Sequence, residues 1–373
     1  MTQRKRPLVI RVATDASFFW NFLDGQGRFL CDQGWDVHAI APRDEFLEKF
    51  AEREQLPVHD VKMSRSMSLD LHAIGDLRRI FHDLKPDIVH SSTPKAGYLA
   101  MIASWSTGVP IRIYHANGLR WWTLKGHKRF MVMQGQKVAC RLAHSVLCVS
   151  PSVRTAMIEH GVCSPERAKV LGSGHGNGVD VDYTFNPDRL EPGIRERARR
   201  QFGLPEDAVV AGFLGRITRD KGIEEIIQAW LMLRDEYTNL YLLLAGDFDD
   251  TDPVNPETKR IMKQDARIKY IGWVEEVMPL YAAVDFCLYP SYREGFGTMI
   301  LEANAMLRPV VATDALGVVD AVEDGVTGLL VPTGTVEPLR DAMAKYISDP
   351  QLRLQHGRAA RRRVRDEFRN EII

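Results

Sequence analysis

The sequence has no apolar run that approaches the roughly 20 residues needed to span a membrane as a helix. Its first residues, Met1 to Pro7, are basic but lack the apolar core of a secretory signal peptide. These two absences predict a cytoplasmic protein. They leave open a peripheral position on the cytoplasmic face of a membrane.

Cysteine is scarce, with five residues among 373 and no pair in CxxC spacing. We therefore expect free thiols in a reducing compartment, without a disulfide framework or a zinc ribbon. The acidic run from Asp247 to Asp250 resembles a metal-binding triplet, but it follows an apolar run and is interpreted as a solvated loop. No metal site is predicted.

An excess of either charge is absent overall, since 49 basic residues balance 49 acidic ones. Bulk charge therefore points to no polyanionic partner, and no nucleic-acid motif is present, so nucleic-acid binding is not expected. The charge distribution is uneven, however, because residues 88–158 contain no Asp or Glu. This stretch predicts a locally basic half-domain inside a neutral protein.

Short runs rich in Val, Ile and Leu recur between longer amphipathic segments, and the pattern restarts after a polar stretch. Runs that are apolar on both faces predict parallel sheets covered by helices on both sides. We therefore predict an α/β protein of two doubly wound, Rossmann-like domains facing each other across a cleft. The expected divisions are a first domain over 1–185, a linker over 186–207 and a second domain over 208–373.

The predicted strands of the first domain are Leu8–Thr14, Asp36–Ala41, Val58–Met63, Asp87–Ser91, Ile111–His115, Ser145–Ser150 and Ala168–Leu171. Those of the second are Val209–Leu214, Leu240–Ala245, Ile268–Ile271, Asp285–Tyr289, Pro309–Ala312 and Gly328–Val331. The helical period predicts helices over Leu69–Leu84, Ile223–Arg234, Thr298–Met306 and Val336–Ile347.

Two cations follow the first apolar run of the second domain. Gly215 and Arg216 end that run, and Lys221 precedes the next helix. Arg offers a fixed fork of donors and Lys a point charge, and both suit phosphate, while Gly215 lets a ligand approach the backbone. A tight turn with solvated charges is the alternative.

Two acids flank a glycine-bracketed aromatic residue further on. Glu294 is predicted to lie in a loop and Glu302 one turn inside the helix that begins near Thr298. The backbone N–H groups of Gly297, Thr298 and Met299 would then point at an anion. A ligand with two phosphates and several hydroxyls, such as a nucleotide sugar, fits this combination; purely structural acids are the alternative.

These motifs resemble those of the retaining, two-domain (GT-B) glycosyltransferases of family 4. The second-domain segments that carry the resemblance are Gly215-Arg216, Lys221-Gly222, Glu294-Gly295-Phe296-Gly297, Glu302-Ala303, Pro309-Val310-Val311 and Thr327 to Pro332. The first-domain segments are His90 to Gly97, Arg112-Ile113-Tyr114, Gly118-Leu119 and Asn177 to Asp180, which look most like bacterial enzymes of cell-surface polysaccharide or lipid-linked oligosaccharide assembly.

The resemblance implies a role for each donor-side residue. Arg216 and Lys221 would hold the donor diphosphate, Glu302 the ribose and Glu294 the transferred sugar. The backbone at 297–299 would contact sugar or phosphate, and Gly272 would lie near the base. Such enzymes retain the anomeric configuration and need no metal or other cofactor besides the nucleotide-sugar co-substrate.

The first domain would supply the acceptor side. His115 ends a predicted strand and is expected, from the resemblance, to contact the donor sugar near its anomeric carbon, with Asn117 as a competitor for that role. Lys95 could meet an acceptor phosphate. Ser17 lies in the first βα loop, which lacks the glycine pair of many relatives. A core or surface histidine is the alternative reading of His115.

Aromatic residues and cations alternate between Arg120 and Met133. This pattern predicts either a helix that lies on an anionic inner-membrane surface and receives a lipid-linked acceptor, or an ordinary helix packed on the sheet.

Together these features predict a retaining glycosyltransferase. The donor would be a UDP-hexose or UDP-N-acetylhexosamine, and the acceptor a glycan or polyprenyl-diphosphate-linked molecule. A nucleotide-sugar epimerase or hydrolase of the same fold, or a non-catalytic nucleotide-sugar-binding subunit, remain as alternatives.

Overall fold

The computed structural model describes residues 6–63 and 69–372 of the chain, so most of the basic stretch from Met1 to Pro7 lies outside the described residues. The chain forms two compact units that divide between Asn177 and Gly178. Each unit contains a parallel β-sheet whose strands alternate with helices. The prediction of two Rossmann-like α/β domains is therefore confirmed.

The first unit has, within its described residues, a seven-stranded sheet in the order β3-β2-β1-β4-β5-β6-β7. The strands are β1 Leu8–Val12, β2 Asp36–Ala41, β3 Val58–Asp60, β4 Ile88–Ser91, β5 Ile111–Ala116, β6 Ser145–Cys148 and β7 Ala168–Lys169. The helices are α1 Ala16–Phe22, α2 Gln26–Asp32, α3 Glu45–Glu54, α4 Leu71–Leu84, α5 Pro94–Ser106, α6 Gly126–Leu142 and α7 Pro151–Glu159.

The second unit has, among the residues described, a six-stranded sheet in the order β10-β9-β8-β11-β12-β13. The strands are β8 Val209–Leu214, β9 Leu240–Ala245, β10 Ile268–Tyr270, β11 Phe286–Tyr289, β12 Val310–Thr313 and β13 Gly328–Val331. The helices are α8 Ile194–Gln201, α9 Ile223–Leu233, α10 Pro256–Gln264, α11 Met278–Ala283, α12 Thr298–Ala305, α13 Val318–Ala321, α14 Val336–Ser348 and α15 Pro350–Glu367. Short 3-10 turns lie at Pro187–Arg189 and Arg219–Lys221.

Central strands read as continuous apolar runs because helices bury both of their faces. All five residues of β1 are buried, and so are all four of β11 and of β12. Strand order reverses between β1 and β4 in the first sheet and between β8 and β11 in the second. Ligands of doubly wound sheets bind beside such reversals, at the carboxyl ends of the strands.

One predicted helix begins later than its apolar period suggests. The period starts at Leu69, but α4 starts at Leu71 because the side chain of Asp70 accepts a hydrogen bond from the Ala73 N–H and caps the helix. Leu69 consequently lies outside the helix and is 62% exposed.

The division of the chain differs from the predicted one. Residues 178–185 were assigned to the first domain, yet Val179 donates a 2.7 Å hydrogen bond to the carbonyl of Phe368 in the second unit. The expected linker 186–207 contains α8, whose buried Arg199 bonds to the Asp285 carboxylate at 3.0 Å. The segment is charged and helix-prone, so its burial in the second unit is not visible in its composition.

None of the described helices combines the length and the apolar character that a membrane crossing requires.

Candidate functional site

Three glycines lie side by side where β8, β9 and β10 end. The Gly215 N–H donates to the carbonyl of Ala245 at 2.9 Å, and the Gly246 N–H donates to the carbonyl of Gly272 at 2.7 Å. Gly246 has φ +132°, and a Cβ there would lie 1.9 Å from the Gly215 carbonyl oxygen. Only glycine fits at position 246, because a side chain would overlap the neighbouring main chain. Since glycines have no side chain to shield the backbone, a ligand can approach the main chain here. The sequence analysis missed Gly246, although it directly follows an apolar run.

The central feature of this edge is an ion pair between two loops. The Lys221 ammonium nitrogen lies 2.5 Å from Oε1 of Glu294, and both side chains are about one-fifth exposed. Ser291 donates a second hydrogen bond to the same carboxylate oxygen, at 2.8 Å. The predicted proximity of Lys221 and Glu294 is thus present in the structure, and the acid is held from two sides.

Main-chain contacts fix the Lys221 loop against the loop that follows β11. The Tyr292 N–H donates to the carbonyl of Asp220 at 2.8 Å, and the Asp220 carboxylate pairs with Arg293 at 3.3 Å. Gly222 has φ +72°, and a Cβ there would overlap the carbonyl of Pro290. The conformation around Lys221 therefore depends on Asp220, which the sequence analysis did not single out.

A third loop supports Glu294 from the side of β12. The Glu294 N–H donates to the carbonyl of Leu316 at 2.8 Å. Gly317 has φ +79°, and a Cβ there would overlap the carbonyl oxygens of Glu294 and Gly295. Sequence reasoning missed this loop because neither Leu316 nor Gly317 carries a chemically informative side chain.

The helix α12 begins where the motif predicts. Gly297 is its N-cap residue with φ +84°, a left-handed conformation that favours glycine, and no side chain caps the helix. Thr298 and Met299 form its first turn. The N-terminus of such a helix carries partial positive charge, which suits a phosphate or a partly negative sugar oxygen.

Glu302 lies one turn inside α12 and contacts a buried tyrosine. The Tyr281 hydroxyl is 3.0 Å from its Oε2 atom. Burial raises the pKa of the Glu302 carboxyl to about 7, and the hydrogen bond from Tyr281 acts in the opposite direction. The carboxyl group therefore changes its charge close to neutral pH.

Arg216 pairs with an acid that the sequence analysis dismissed. Its Nη1 atom lies 2.6 Å from Oδ2 of Asp249, while its side chain remains 59% exposed. Hydrogen bonds from Thr251, reinforced by Arg216, lower the pKa of the Asp249 carboxyl to about 2. The interpretation of residues 247–250 as a solvated loop did not include this ion pair, because an acid distant in sequence from its cation gives no local signal.

The four charged residues that the resemblance assigns to one donor are arranged as one direct pair and two separate partnerships. Lys221 bonds to Glu294, whereas Arg216 bonds to Asp249 and Glu302 to Tyr281. Over residues 6–63 and 69–372, no ion pair joins Arg216 or Glu302 to the central pair. Since β8 and β11 are parallel neighbours, the segments that carry all four follow the same edge of one sheet.

In the first unit, His115 lies near the carboxyl end of β5 and is buried. Its ring stacks on that of His90 with 5.7 Å between centroids. Burial lowers the pKa of His115 to about 3, and Arg11 and His175 add to the effect. The imidazole is consequently neutral at physiological pH and can exchange hydrogen bonds without carrying charge.

The three acceptor-side candidates all have partners within the first unit. The Asn117 side-chain amide donates to the carbonyl of Ser92 at 2.6 Å, which links the ends of β4 and β5. Lys95 is 2% exposed, and its ammonium group lies 3.5 Å from Asp70. The Ser17 hydroxyl donates to the Asp15 carboxylate at 2.6 Å, at the start of α1.

The segment from Arg120 to Met133 is not one continuous amphipathic helix. Residues 120–123 form turns and bends, and α6 starts at Gly126. Trp121 is fully buried, and its indole N–H donates to Gln136 at 2.6 Å. We give the name aromatic–cationic surface to five of its exposed residues: Trp122, Lys125, Lys128, Phe130 and Met131.

Comparison with known families covers most of the chain. Residues 194–363 match the family described as glycosyl transferases group 1, and residues 22–174 match the glycosyl transferase 4-like domain. The first match includes the Lys221–Glu294 pair and α12. The second includes β4, β5 and α6.

Among curated relatives, the capsular polysaccharide biosynthesis glycosyltransferase CapM of Staphylococcus aureus is 31% identical over 352 residues, which is 94% of this chain and 90% of CapM. The alpha-maltose-1-phosphate synthase of Mycolicibacterium smegmatis is 28% identical and covers 93% of this chain and 89% of its own length.

Solved structures show the same fold at low identity. HepE of Anabaena in complex with UDP-glucose superposes with a TM-score of 0.80 at 22% identity, covering 98% of this chain and 96% of HepE. WaaG, a glycosyltransferase involved in lipopolysaccharide biosynthesis, gives 0.74 at 15% identity, covering 98% of this chain and 97% of WaaG.

Proposed function

The chain belongs to the group 1 glycosyl transferases, with the GT-B fold that its motifs predict, and we propose that it is a retaining enzyme that uses a nucleotide-diphosphate sugar. It is a glycosyltransferase of polysaccharide biosynthesis. The proposed donor is a UDP-hexose or UDP-N-acetylhexosamine. The proposed acceptor is a glycan or a polyprenyl-diphosphate-linked molecule.

The contact between Lys221 and Glu294 carries this proposal. It brings a cation suited to phosphate within 2.5 Å of an acid suited to sugar hydroxyls. The junction between a leaving diphosphate and its sugar needs both groups at one place. Arg216 and the close backbone at Gly215 complete the diphosphate side.

The proposed reaction is a front-face substitution. The bond from the anomeric carbon to the phosphate oxygen breaks as the acceptor oxygen attacks from the same face, and the leaving phosphate takes the acceptor proton. Lys221 and Arg216, with the N–H groups at the start of α12, stabilise the charge that grows on the diphosphate. Glu294 stabilises positive charge on the sugar ring. Because protein cations serve the leaving group, the reaction needs no metal.

The remaining donor contacts follow from the same arrangement. Glu302 is proposed to bind the ribose diol, with Gly297, Thr298 and Met299 near sugar or phosphate. Gly272 lies at the end of β10, where the base is proposed to sit. The complexes of HepE with UDP and with UDP-glucose support uracil as the first base to test.

His115 and the three acceptor-side candidates form the proposed acceptor half. A neutral His115 can donate or accept a hydrogen bond at the transferred sugar without competing with Lys221 for the diphosphate. An acceptor that uses Ser17, Lys95 or Asn117 competes with their present bonds to Asp15, Asp70 and Ser92. These residues are therefore weaker candidates for substrate contact than His115.

The aromatic–cationic surface is proposed to contact the cytoplasmic face of the inner membrane. Trp122, Phe130 and Met131 are exposed, and Lys125 and Lys128 accompany them in a stretch without acids. Apolar side chains flanked by lysines suit an anionic bilayer. Such a position would bring the enzyme to a lipid-linked acceptor.

Vesicle sedimentation tests the membrane contact. We expect the protein to bind vesicles containing an anionic lipid, to bind neutral vesicles weakly, and to lose binding in Trp122→Ala and Phe130→Ala. Trp105→Ala is the matched control, because Trp105 is 59% exposed elsewhere in the same unit. Equal binding by all variants would exclude this surface.

A turnover assay tests the enzymatic proposal. Each of a set of UDP- and GDP-sugars is incubated with and without a polyprenyl-diphosphate-linked glycan, with and without a chelator, and the anomeric configuration of the product is read by NMR. We expect an acceptor-dependent product with the donor's configuration. Acceptor-independent epimer or free sugar would instead indicate an epimerase or hydrolase, and binding without turnover would indicate a non-catalytic subunit.

A further inference from the structure

We propose that Tyr281 is a positioning residue of the donor site, which orients the Glu302 carboxylate through its hydroxyl and so controls the pH at which donor binds. The inference rests on the proposed function, because it takes the diol of a nucleotide ribose as the ligand of Glu302. It adds a residue that belongs to none of the motifs and that does not itself reach the ligand.

Tyr281 is held rigidly before it meets Glu302. It is fully buried on α11, its carbonyl accepts a 2.7 Å hydrogen bond from Arg308, and its ring contacts Phe185 edge-on at 6.2 Å. A side chain constrained at its backbone and its ring has few alternative rotamers. Its hydroxyl therefore occupies a defined point beside α12.

The hydroxyl has three acceptors within reach, one of them the Met299 sulfur at 3.8 Å, and the carboxylate is the closest. It lies 3.0 Å from Oε2 of Glu302 and 3.5 Å from the carbonyl oxygen of Met299. Burial raises the pKa of the Tyr281 phenol, so it stays protonated and can only donate to an ionised carboxylate. Oε2 is thereby occupied, which leaves Oε1 to the diol of the proposed ligand.

The surroundings of Glu302 leave its charged form dependent on the hydrogen bond from Tyr281. Tyr289 from β11 also interacts with Glu302, and Arg361 of α15 bonds to the Ala305 carbonyl at the opposite end of α12. Across the described ranges, no ion pair joins Glu302 to a cation. Tyr281 is thus the group that favours the charged form against burial.

The charged form is the one that a ribose diol requires. A carboxylate accepts hydrogen bonds from two vicinal hydroxyls, whereas a protonated carboxyl has to turn one oxygen into a donor. Removing the Tyr281 hydroxyl should therefore raise the pH at which donor binds rather than abolish binding. A residue needed only for packing would weaken binding equally at every pH.

Calorimetric titration of UDP-glucose and of GDP-mannose from pH 6.5 to 9, without acceptor, tests the inference. Both phosphates of each probe are esterified and do not titrate in this range. We expect Tyr281→Phe to raise the pH midpoint of donor binding by about one unit. Losing a hydrogen bond to the charged carboxylate raises the pKa of Glu302 by about that amount. Affinity should fall about fivefold at pH 7 and by less than about twofold at pH 9.

Three further proteins make the result specific. Glu302→Gln should bind weakly with no midpoint in this range, which assigns the titration to Glu302. Tyr346→Phe removes another buried tyrosine hydroxyl of the same unit, bonded to His356, and should keep the wild-type midpoint. If Tyr281→Phe does not fold, 3-fluorotyrosine at position 281, a stronger donor, should move the midpoint downward.

The failures are distinguishable. Donor binding whose midpoint is the same in wild type, Tyr281→Phe and the fluorotyrosine protein would overturn the role of Tyr281 and leave the proposed function standing. A wild-type protein that binds neither probe, nor any other nucleotide sugar, would overturn the proposed function and this inference with it.

Discussion

The ammonium group of Lys221 lies 2.5 Å from a carboxylate oxygen of Glu294, although the two residues are 73 positions apart in the chain. One follows β8 and the other follows β11, and these strands are neighbours in the second sheet. Asp220, Ser291 and the Leu316 carbonyl hold the two loops in place. The pair is therefore a property of the sheet order and not of local sequence.

Replacing either member of this pair should abolish transfer while leaving the fold intact. We expect Lys221→Met and Glu294→Gln each to lower kcat/KM by about 100-fold or more, because a preorganised group at the leaving phosphate or the sugar is lost. The double variant should be little worse than either single one, since residues that act as a unit are not additive. Initial rates with a radiolabelled donor measure this.

Arg260→Ala is the matched control for that experiment. It removes a cation from an exposed Arg260–Glu257 pair of the same unit, where ion pairs contribute little. Near-normal turnover by Lys221→Met, or a loss as large in Arg260→Ala, would contradict the assigned role.

Alanine at Gly246 should damage the second unit far more than alanine at Gly325. Both glycines have positive φ, but a Cβ at Gly246 would overlap the Gly215 carbonyl, whereas a Cβ at Gly325 meets no atom within 4 Å. We expect a loss of about 1–2 kcal/mol in unfolding free energy for Gly325→Ala, from backbone strain alone, and at least twice that for Gly246→Ala. Urea unfolding measures both, and equal losses would refute the close approach of the two main chains.

The stability of the first unit should fall in acid because His115 is buried as a neutral imidazole. Its pKa is about 3 in the folded protein against 6.5 for the ordinary group, so between these values the unfolded chain binds more protons. The contribution of neutral His115 to the free energy of unfolding is complete above pH 6.5 and is lost as the pH falls towards 3. At pH 5 one such group accounts for a loss of about 2 kcal/mol.

Denaturant unfolding at pH 7.5 and pH 5 checks this, with wild type and His115→Gln compared. The variant should lose less stability between the two pH values than wild type does. His160→Gln is a control, since His160 is a half-buried histidine of the same unit that takes no part in the His90–His115 ring stack. Identical pH dependence in wild type and His115→Gln would rule out the buried neutral state.

Gln136→Leu should destabilise the first unit by about 2–5 kcal/mol. Gln136 accepts from the Trp121 indole and donates to the Tyr114 hydroxyl at 3.1 Å, and all three are buried. Leucine would leave two buried polar groups unpaired. Thermal unfolding measures the loss, which should be much smaller for Gln134→Leu, on a more exposed part of α6. An equal effect of the two changes would argue against the buried network.

Much of the architecture is readable in the amino-acid pattern. The strands β2, β8, β9 and β13 have the predicted bounds, because each is a mostly apolar run followed directly by glycine or proline. The start of α12 is also predicted. Gly297 precedes the helix in the left-handed conformation that favours glycine, so the glycine marks the helix start in the sequence. Local propensity and burial period are properties of consecutive residues, and sequence displays them directly.

Ion pairs and hydrogen bonds between residues that are distant in sequence could not be predicted from these local patterns. Asp249 for Arg216, Tyr281 for Glu302 and Asp70 for Lys95 each lie on another loop or helix. The assignment of 178–207 failed for the same reason, because Arg199 is buried by contacts with Asp285, 86 positions away. A charge looks solvated in sequence whenever its counter-ion is remote.

The order of apolar runs, glycines and charges was thus sufficient to establish two α/β domains, the glycosyltransferase motifs and the loops that bear Lys221 and Glu294. Packing of the folded chain was needed to pair those two residues, to bury His115 and Trp121, and to bring the Glu302 carboxyl close to neutral pKa. The difference is physical: periodicity acts over a few residues, whereas desolvation and pairing depend on which segments become neighbours in space.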